Sequence, residues 1–122
     1  MALTYGASFV ARTFSGKLQE MVDIYTRAIK HKGFAMIDVL SPCVTYNNTY
    51  KDWAAEVAPL PADYDRTNRM KAIEWAFRDD KIWTGIFYQV ERQTFEEAVL
   101  ANVGKAEQAG RQKLLEIMEK FD

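Results

Sequence analysis

Hydrophobic and polar residues follow two different periods in the first forty positions of the chain. Residues 8–12 (SFVAR) form a short run of β-forming residues, and apolar side chains then recur at steps of three and four from Leu18 to Ile29. Residues 34–40 (FAMIDVL) are almost continuously apolar, which is typical of parallel strands buried on both faces. The pattern predicts a strand, a helix and a second, parallel strand, and we expect the second strand to be buried on both faces.

Polar residues mark both ends of this predicted helix. Ser15 precedes the helix and is a residue type that caps N-termini. His31 and Lys32 suit the negative end of the helix dipole, and Gly33 then ends the helix. We therefore expect Ser15 to be the N-cap and His31 to lie in solvent at the C-terminal end.

The middle of the chain shows no single hydrophobic period. Residues 47–65 combine Asn, Pro and Asp with aromatic residues, which predicts an irregular connection along the surface, pinned by Tyr50, Trp53 and Tyr64. A helix follows over residues 68–79, with Asp65 or Thr67 as its cap. Residues 81–92 are apolar at many positions and are predicted to be extended.

A last helix is predicted near the end of the chain. Thr94 and Glu97 have the spacing of a capping box, in which each residue satisfies a backbone N–H of the other. Apolar residues follow at helical spacings over residues 100–118. Because Gly104 and Gly110 lie in this run, the helix is either continuous or broken near one of them.

These elements predict an α/β fold. It has one strand–helix–strand crossover and a helical C-terminal extension. Two parallel strands alone do not form a stable sheet with two covered faces. We therefore expect the chain to be part of a larger α/β domain.

Composition and charge exclude several classes of function. The formal net charge is -1 at pH 7, so the chain lacks the basic footprint of a nucleic-acid-binding protein. No apolar run is long enough to cross a bilayer. The single cysteine cannot form an internal disulfide, which favours a reducing cytoplasm. No Gly-rich phosphate-binding loop is present.

Few residues carry candidate chemistry, and each has a plain structural interpretation. Asp38 lies inside an apolar run and needs a partner, for which we expect a backbone group or Arg12. A cysteine–histidine catalytic pair of Cys43 and His31 has no supporting local sequence. The clustered aromatic residues are expected in the core or at an interface rather than on a base-stacking surface; they are Trp53, Trp75, Trp83, Phe87 and Tyr88.

Cys43 follows a proline just beyond the second predicted strand, where ligands of parallel sheets collect. Composition alone favours a small buried core residue at this position. No His, Cys or carboxylate partner stands at metal-ligand spacing from it. From the residues alone, Cys43 is therefore either an inert core residue or one member of an incomplete site.

Three segments closely resemble one known family. They read YGASFVAR, HKGFAMIDVLSPCVTYN and GIFYQVERQTFEE, in that order. Together they resemble the C-terminal region of the β subunit of 2-oxoacid:ferredoxin oxidoreductases of the pyruvate and 2-oxoglutarate type. The resemblance implies that residues 1–47 are the C-terminal strand–helix–strand part of a thiamine-diphosphate-binding-type fold, and that residues 48–122 are the C-terminal extension of that subunit.

The same resemblance implies the chemistry of the full enzyme. Members convert a 2-oxoacid to acyl-coenzyme A and CO₂ and reduce ferredoxin, using thiamine diphosphate, Mg²⁺ and a four-iron four-sulfur cluster. Their partners are an α subunit, ferredoxin and coenzyme A. The Pro-Cys step of the family matches Pro42 and Cys43, so the resemblance implies that Cys43 is one of the four cluster ligands.

The sequence departs from the family pattern in one respect. The three other cluster cysteines and the Asp and Asn of the diphosphate motif are absent from the chain. A cluster needs four ligands, so we expect the chain to bind no cofactor and to be inactive by itself. The alternative is a non-enzymatic assembly module with Cys43 in its core. In either case the isolated chain is expected to self-associate through its open sheet.

Overall fold

A computed structural model describes residues 1–120 of the chain. Four strands and four helices follow one another as β1 (Phe9–Phe14), α1 (Leu18–Ile29), β2 (Ala35–Leu40), α2 (Tyr50–Glu56), β3 (Val57–Pro59), α3 (Arg69–Ala76), β4 (Ile82–Gln89) and α4 (Phe95–Met118). The chain divides into two compact units, Met1–Arg92 and Gln93–Asp122. The resemblance implies a different boundary, at residue 47, between the part that belongs to the thiamine-diphosphate-binding-type fold and the C-terminal extension. The two compact units do not test this boundary, which stays a prediction.

The four strands form one sheet in the order β2-β1-β4-β3. β1 and β2 are parallel, with Phe9 opposite Ala35 and Phe14 opposite Leu40, and α1 connects them. β4 runs antiparallel to β1, and β3 is parallel to β4. The predicted crossover and the α/β class are therefore confirmed, and the sheet also contains two strands from the second half of the chain.

One helix packs on each face of the central strands β1 and β4. Phe9 and Ala11 of β1 pack with Ile24 of α1 on one face. Because neighbouring residues of a strand point to opposite faces, Val10 lies on the other face, where it packs against the cluster that contains Ala72 of α3. The two helices thus bury opposite sides of β1.

β4 contains a β-bulge, which changes the side chains that it presents to the face of the sheet covered by α3. Val10 pairs with Tyr88 while Ala11 pairs with Ile86, so Phe87 is an extra residue in the ladder. A β-bulge of this kind interrupts the alternation of side chains. Phe87 and Tyr88 therefore belong to the same core cluster although they are adjacent in sequence.

β2 is not buried on both faces, contrary to the prediction from its continuous apolar sequence. Ala35 and Ile37 pack on the α1 side. On the other side Met36 is 39% exposed, and it lines a small groove of about 140 Å³ with Asp38 and Phe87. The expectation fails because α3 packs on β4 and not on β2, which leaves β2 as a half-buried edge strand.

The caps predicted for α1 and α3 are wrong. Lys17 is the N-cap of α1 and makes no side-chain cap hydrogen bond, while the Ser15 hydroxyl instead bonds to the Tyr50 hydroxyl at 2.9 Å. For α3 the cap is Asn68, whose Oδ1 accepts a hydrogen bond from the backbone N–H of Lys71 at 3.0 Å. In both places the side chain expected at the cap has another partner.

The capping box of α4 is confirmed. The backbone N–H of Glu97 donates to the Thr94 hydroxyl at 3.2 Å, and the backbone N–H of Thr94 donates to the Glu97 carboxylate at 3.0 Å. α4 runs through Gly104 and Gly110 without interruption, so the continuous alternative holds. Within residues 1–120, no helix combines the length and apolar character needed to cross a membrane.

The connection after residue 47 is partly regular, because it contains α2 and β3. One predicted pin is fully confirmed: Tyr64 is buried, and its hydroxyl donates to the Phe87 carbonyl oxygen at 2.9 Å. Burial, with Asp65 and Glu74 nearby, raises the pKa of Tyr64 to about 12 from an ordinary value of 10.0.

Tyr64 makes the stability of the fold sensitive to alkaline pH. The folded protein keeps the phenol proton up to about pH 12, whereas the unfolded chain releases it near pH 10.0. The unfolded state therefore binds fewer protons in this interval, and the free energy of unfolding falls as the pH rises. Urea titrations at pH 9 to 12 measure this dependence. The free energy of unfolding should fall less between these pH values for Tyr64→Phe than for wild type. Tyr46→Phe, a change at a 94% exposed tyrosine, should decline like wild type; an equal decline in all three proteins would contradict the assignment.

Candidate functional site at the carboxyl ends of β1 and β2

The carboxyl ends of the two parallel strands meet at one edge of the sheet. Phe14 and Leu40 are opposite each other there, and the backbone N–H of Ser15 donates to the Leu40 carbonyl oxygen at 3.0 Å. The loop of residues 41–49 follows β2 at this edge. Ligands of α/β sheets bind in this position, and the loop contains Cys43.

The loop around Cys43 is fixed at both ends. Pro42 is buried, which anchors the residue before Cys43. The backbone N–H of Asn47 donates to the Cys43 carbonyl oxygen at 2.9 Å and closes a turn. At the far end Tyr50 begins α2, and its hydroxyl bonds to the Ser15 hydroxyl next to β1.

Cys43 is an exposed free thiol. Its neighbours in the turn are also exposed, with Val44 at 63% and Tyr46 at 94%. The expectation of a small buried core residue is therefore wrong, because the chain turns outward after Pro42. The thiol is available to a ligand, and the interpretation of Cys43 as an inert core side chain loses its basis.

His31 is not a solvated residue of the last helical turn. It follows α1, and its Nε2 lies 2.9 Å from the hydroxyl of Ser8. Its ring packs against Phe9 at 5.4 Å between centroids. Gly33, with a φ of 121°, passes so close to Ser8 that a Cβ would collide with the hydroxyl. Partial burial lowers the pKa of His31, and the charge of Glu91 partly opposes this.

Neither the observed Ser8–His31 pair nor the Cys43–His31 pair considered from the sequence has the arrangement of a catalytic site. Ser8 is 1% exposed, so no substrate reaches its hydroxyl. Cys43 lies beyond the opposite end of β2, and six strand residues separate the two edges by about 20 Å. The structure thus rules against a Cys43–His31 pair and gives His31 a role in holding the start of β1.

The expected partner of Asp38 is confirmed. Nε of Arg12 donates to Oδ2 of Asp38 at 2.8 Å, across the β1–β2 ladder in which the two residues are opposite each other. The Arg12 guanidinium also lies 6.0 Å from the centre of the Phe87 ring. The two side chains are 34% and 43% exposed. The pair fixes the uncovered face of β2 and is structural.

A polar cleft of about 550 Å³ lies at the same edge of the sheet, beside the first residues of β3 and β4. Because β4 is antiparallel to β1, its beginning meets the carboxyl end of β1. Three basic and three acidic residues line the cleft, so it favours neither charge sign; they are Arg12, Arg78, Lys81, Glu56, Asp79 and Asp80. The run RDDK at residues 78–81 is the only sequence signal of this cleft, and sequence reasoning missed it.

The tryptophans near this cleft belong to the packed structure, as predicted. The rings of Trp75 and Trp83 meet edge to face at 4.8 Å, and both pack against the cluster around Ala72. Arg78 lies 4.3 Å above Trp75 and 3.5 Å from Asp80, which accepts the indole N–H of Trp83. These contacts engage the rings of Trp75 and Trp83 in the packing of the fold.

The family resemblance implies an iron–sulfur cluster, thiamine diphosphate and Mg²⁺, and the residues of this chain suit these cofactors to different degrees. Cys43 provides one exposed thiol, which suits one corner of an iron–sulfur cluster. No cluster of three or more His, Cys, Asp or Glu residues suited to a metal ion occurs in the part of the chain that the structure describes. The residues of the chain therefore fit a shared cluster, and they do not fit a complete cluster or a site for Mg²⁺ and thiamine diphosphate.

Known proteins resemble this chain in sequence. The family model for the C-terminal part of the pyruvate ferredoxin oxidoreductase beta subunit matches residues 43–102. The 2-oxoacid:ferredoxin oxidoreductase subunit beta of a Sulfolobus species is 35% identical over 84% of this chain and 38% of its own length. The 2-oxoglutarate synthase subunit KorB of Methanocaldococcus jannaschii is 30% identical over 80% of this chain and 37% of its own length. The chain thus spans well under half the length of these relatives.

The fold is also shared. A structure of the 2-oxoglutarate:ferredoxin oxidoreductase from Magnetococcus marinus, with 2-oxoglutarate, coenzyme A and succinyl-CoA bound, superposes with a TM-score of 0.80. It is 30% identical in sequence, and the match covers 86% of this chain and 37% of that one. In sequence and in fold, this chain matches the C-terminal region of the β subunit of 2-oxoacid:ferredoxin oxidoreductases.

Proposed function

We propose that this chain acts as the C-terminal segment of the β subunit of a 2-oxoacid:ferredoxin oxidoreductase. The complex would convert a 2-oxoacid to acyl-coenzyme A with loss of CO₂ and would reduce ferredoxin. One observation carries the proposal: Cys43 is exposed in an anchored loop at the edge of the sheet where the carboxyl ends of the two parallel strands meet. This loop lies in the part of the sequence with the most specific resemblance to the family.

Cys43 is proposed to be one of four ligands of a four-iron four-sulfur cluster, which transfers electrons when bound. Three features of this chain support that role. Buried Pro42 fixes the backbone before the ligand, and the Asn47 N–H holds the Cys43 carbonyl oxygen. Thr45 and Asn47 are exposed beside it and carry groups able to donate hydrogen bonds to cluster sulfurs, which would tune the reduction potential.

The other parts of the enzyme must come from outside this segment. The chain has a single cysteine, so three thiolates are supplied elsewhere, as are the residues for thiamine diphosphate and Mg²⁺. We therefore propose that the chain is inactive alone and works with an α subunit, ferredoxin and coenzyme A. The names of two relatives support 2-oxoglutarate, or a broader set of 2-oxoacids, as the substrate. A cytoplasmic location is proposed because the single cysteine cannot form a disulfide within the chain.

Reconstitution tests the proposed function. The part of the Sulfolobus β subunit that this chain does not match is expressed with the α subunit, with or without this chain, and coenzyme A-dependent reduction of ferredoxin by 2-oxoglutarate and pyruvate is measured. We expect copurification of the chain and activity only when the chain is present. Activity of equal size in its absence, or failure of the folded chain to copurify, would contradict the proposal.

A further inference from the structure

β2 lies at one edge of the sheet, where the described part of the chain supplies no strand to its outer side. On its inner side the Leu40 carbonyl oxygen accepts a hydrogen bond from the backbone N–H of Ser15. Successive residues of a strand direct their backbone groups to opposite edges, so the N–H and C=O groups of Ala35, Ile37 and Val39 point outward. The second compact unit does not pair with them, because α4 is the only regular element described in it.

The first residues of the chain have the geometry of the C-terminal end of an α-helix. The backbone N–H of Tyr5 donates to the Met1 carbonyl oxygen, and that of Ala7 donates to the Ala2 carbonyl oxygen, both at 3.1 Å. Gly6 lies between them with a φ of 92°, which is the position of glycine in a Schellman motif. One helical turn therefore ends at Gly6, just before β1.

This turn lies on the face of the sheet opposite α1. Leu3 is buried in the cluster that contains Ala72 of α3. Met1, at the beginning of the turn, lines the groove of about 140 Å³ together with Met36 and Asp38. The groove is the side of β2 that α3 leaves uncovered. Earlier turns of the same helix would therefore lie over β2 and cover Met36.

We propose that the preceding part of the β subunit adds a parallel strand to the outer edge of β2 and connects it to β1 through the helix that ends at Gly6. The match covers only 38% of the length of the Sulfolobus β subunit, and the family model describes the C-terminal part of this subunit. The relatives therefore contain a preceding part. The proposal rests on the proposed function, because it takes the rest of the β subunit as the partner.

The handedness of connections between parallel strands selects this edge. α1 connects β1 to β2 on one face, and the helix that ends at Gly6 reaches β1 on the other face. Such connections are right-handed in about 98% of cases. A right-handed connection on the second face starts on the same side of β1 as β2. Because β2 already occupies the adjacent place, the new strand is its outer neighbour.

This placement brings the new strand to the candidate site. Its carboxyl end would lie beside Leu40 and the loop that contains Cys43. The connections after the new strand and after β1 would leave the sheet on opposite faces, and ligands of α/β sheets bind at such a change of face. The loop after the new strand would therefore share the site with Cys43.

Hydrogen exchange tests the pairing. Exchange in residues 34–40 is followed by mass spectrometry for the dilute chain alone and for its complex with the part of the Sulfolobus β subunit that it does not match, without the α subunit. In the complex the amides of Ala35, Ile37 and Val39 should exchange at least about 100-fold more slowly. In the chain alone they should exchange rapidly, because they lie at an open edge.

Val39→Pro and Val39→Ala form a matched pair of variants. Both remove the valine side chain, but only proline removes the N–H that pairs with the new strand, and proline is tolerated at a free edge. Urea unfolding first establishes that both isolated variants are folded; if the proline variant is not, the exchange measurement decides alone. Val39→Pro should raise the dissociation constant for the Sulfolobus part at least about 100-fold, whereas Val39→Ala should stay within about fivefold of wild type.

Four outcomes would overturn the proposal. They are binding without added protection in residues 34–40, equal affinity of the two folded variants, binding only when the α subunit is present, and protection of the same amides in the dilute chain alone. None of them contradicts the proposed function, which is tested by copurification with the whole complex and by ferredoxin reduction. A complex with a protected β2 edge that reduces no ferredoxin would contradict the proposed function and support the strand pairing.

Discussion

Cys43→Ser is expected to lower the rate of ferredoxin reduction by the reconstituted complex at least about 100-fold, beyond the effect usual for outer-shell residues of a metal site. The physical reason is the loss of one of four thiolate ligands, since a serine hydroxyl is a harder and less acidic ligand for iron. The folded chain itself should change little. Cys43 is exposed, so the free energy of unfolding should stay within about 0.5 kcal/mol of wild type.

The matched control for this change is Val44→Ser. Val44 is the next residue in the same turn and is 63% exposed, so both variants add a serine hydroxyl at the same edge of the sheet. Only the thiol distinguishes them. Val44→Ser should retain wild-type activity, whereas equal rates for Cys43→Ser and wild type would favour the non-enzymatic assembly module.

Phe9→Ala should destabilise the chain by about 3–5 kcal/mol, the range for removal of a buried aromatic side chain. Phe9 is 0% exposed at the start of β1. It packs with Ile24 of α1 and Ile86 of β4, and its ring contacts His31. Loss of the ring opens a cavity where the crossover meets the antiparallel strand. Because single domains have about 5–15 kcal/mol of stability in total, this loss removes a large fraction of the free energy of unfolding.

Phe34→Ala controls for the loss of an aromatic ring at the same edge. Phe34 is 67% exposed, and only its carbonyl oxygen holds the backbone of Ser8 and Phe9. Urea unfolding at one fixed protein concentration should show a change within about 0.5 kcal/mol for this variant. If the two substitutions had the same cost, the placement of the core around Phe9 would be wrong.

Local sequence signals predicted much of the fold correctly. The change from an apolar strand to a helical period of three and four residues marked β1, α1 and β2. The capping box at Thr94 and Glu97 determined the start of α4 because both partners lie within one turn. The pairing of Asp38 with Arg12 followed from the cost of an unpaired carboxylate in an apolar strand.

Contacts between distant segments were not predictable from the local pattern. β4 inserts between β1 and β3, and it comes from a segment about 70 residues after β1. Nothing in its sequence specifies an antiparallel neighbour or a bulge at Phe87. Ser15 has the residue type of an N-cap, but the hydroxyl of Tyr50 takes its hydrogen bond. Such tertiary contacts override local preference.

The exposure of Cys43 was likewise not predictable from the local sequence. Free cysteine is among the most frequently buried residue types, so composition favoured the core. The burial of Pro42 and the turn closed by Asn47 direct the thiol outward. Its position just beyond a parallel strand left a ligand site open, and the resemblance to a known family specified the ligand. The structure shows that the thiol is exposed.

The iron content of the reconstituted complex tests the central claim most directly. Complexes assembled with wild-type chain, with Cys43→Ser and with Val44→Ser are compared by iron analysis and by the electron paramagnetic resonance signal of the reduced cluster. We expect wild type and Val44→Ser to carry the same iron, and Cys43→Ser to lose the signal and up to about four iron atoms per complex, the content of one cluster. Equal iron and equal signals in all three complexes would show that Cys43 is not a cluster ligand.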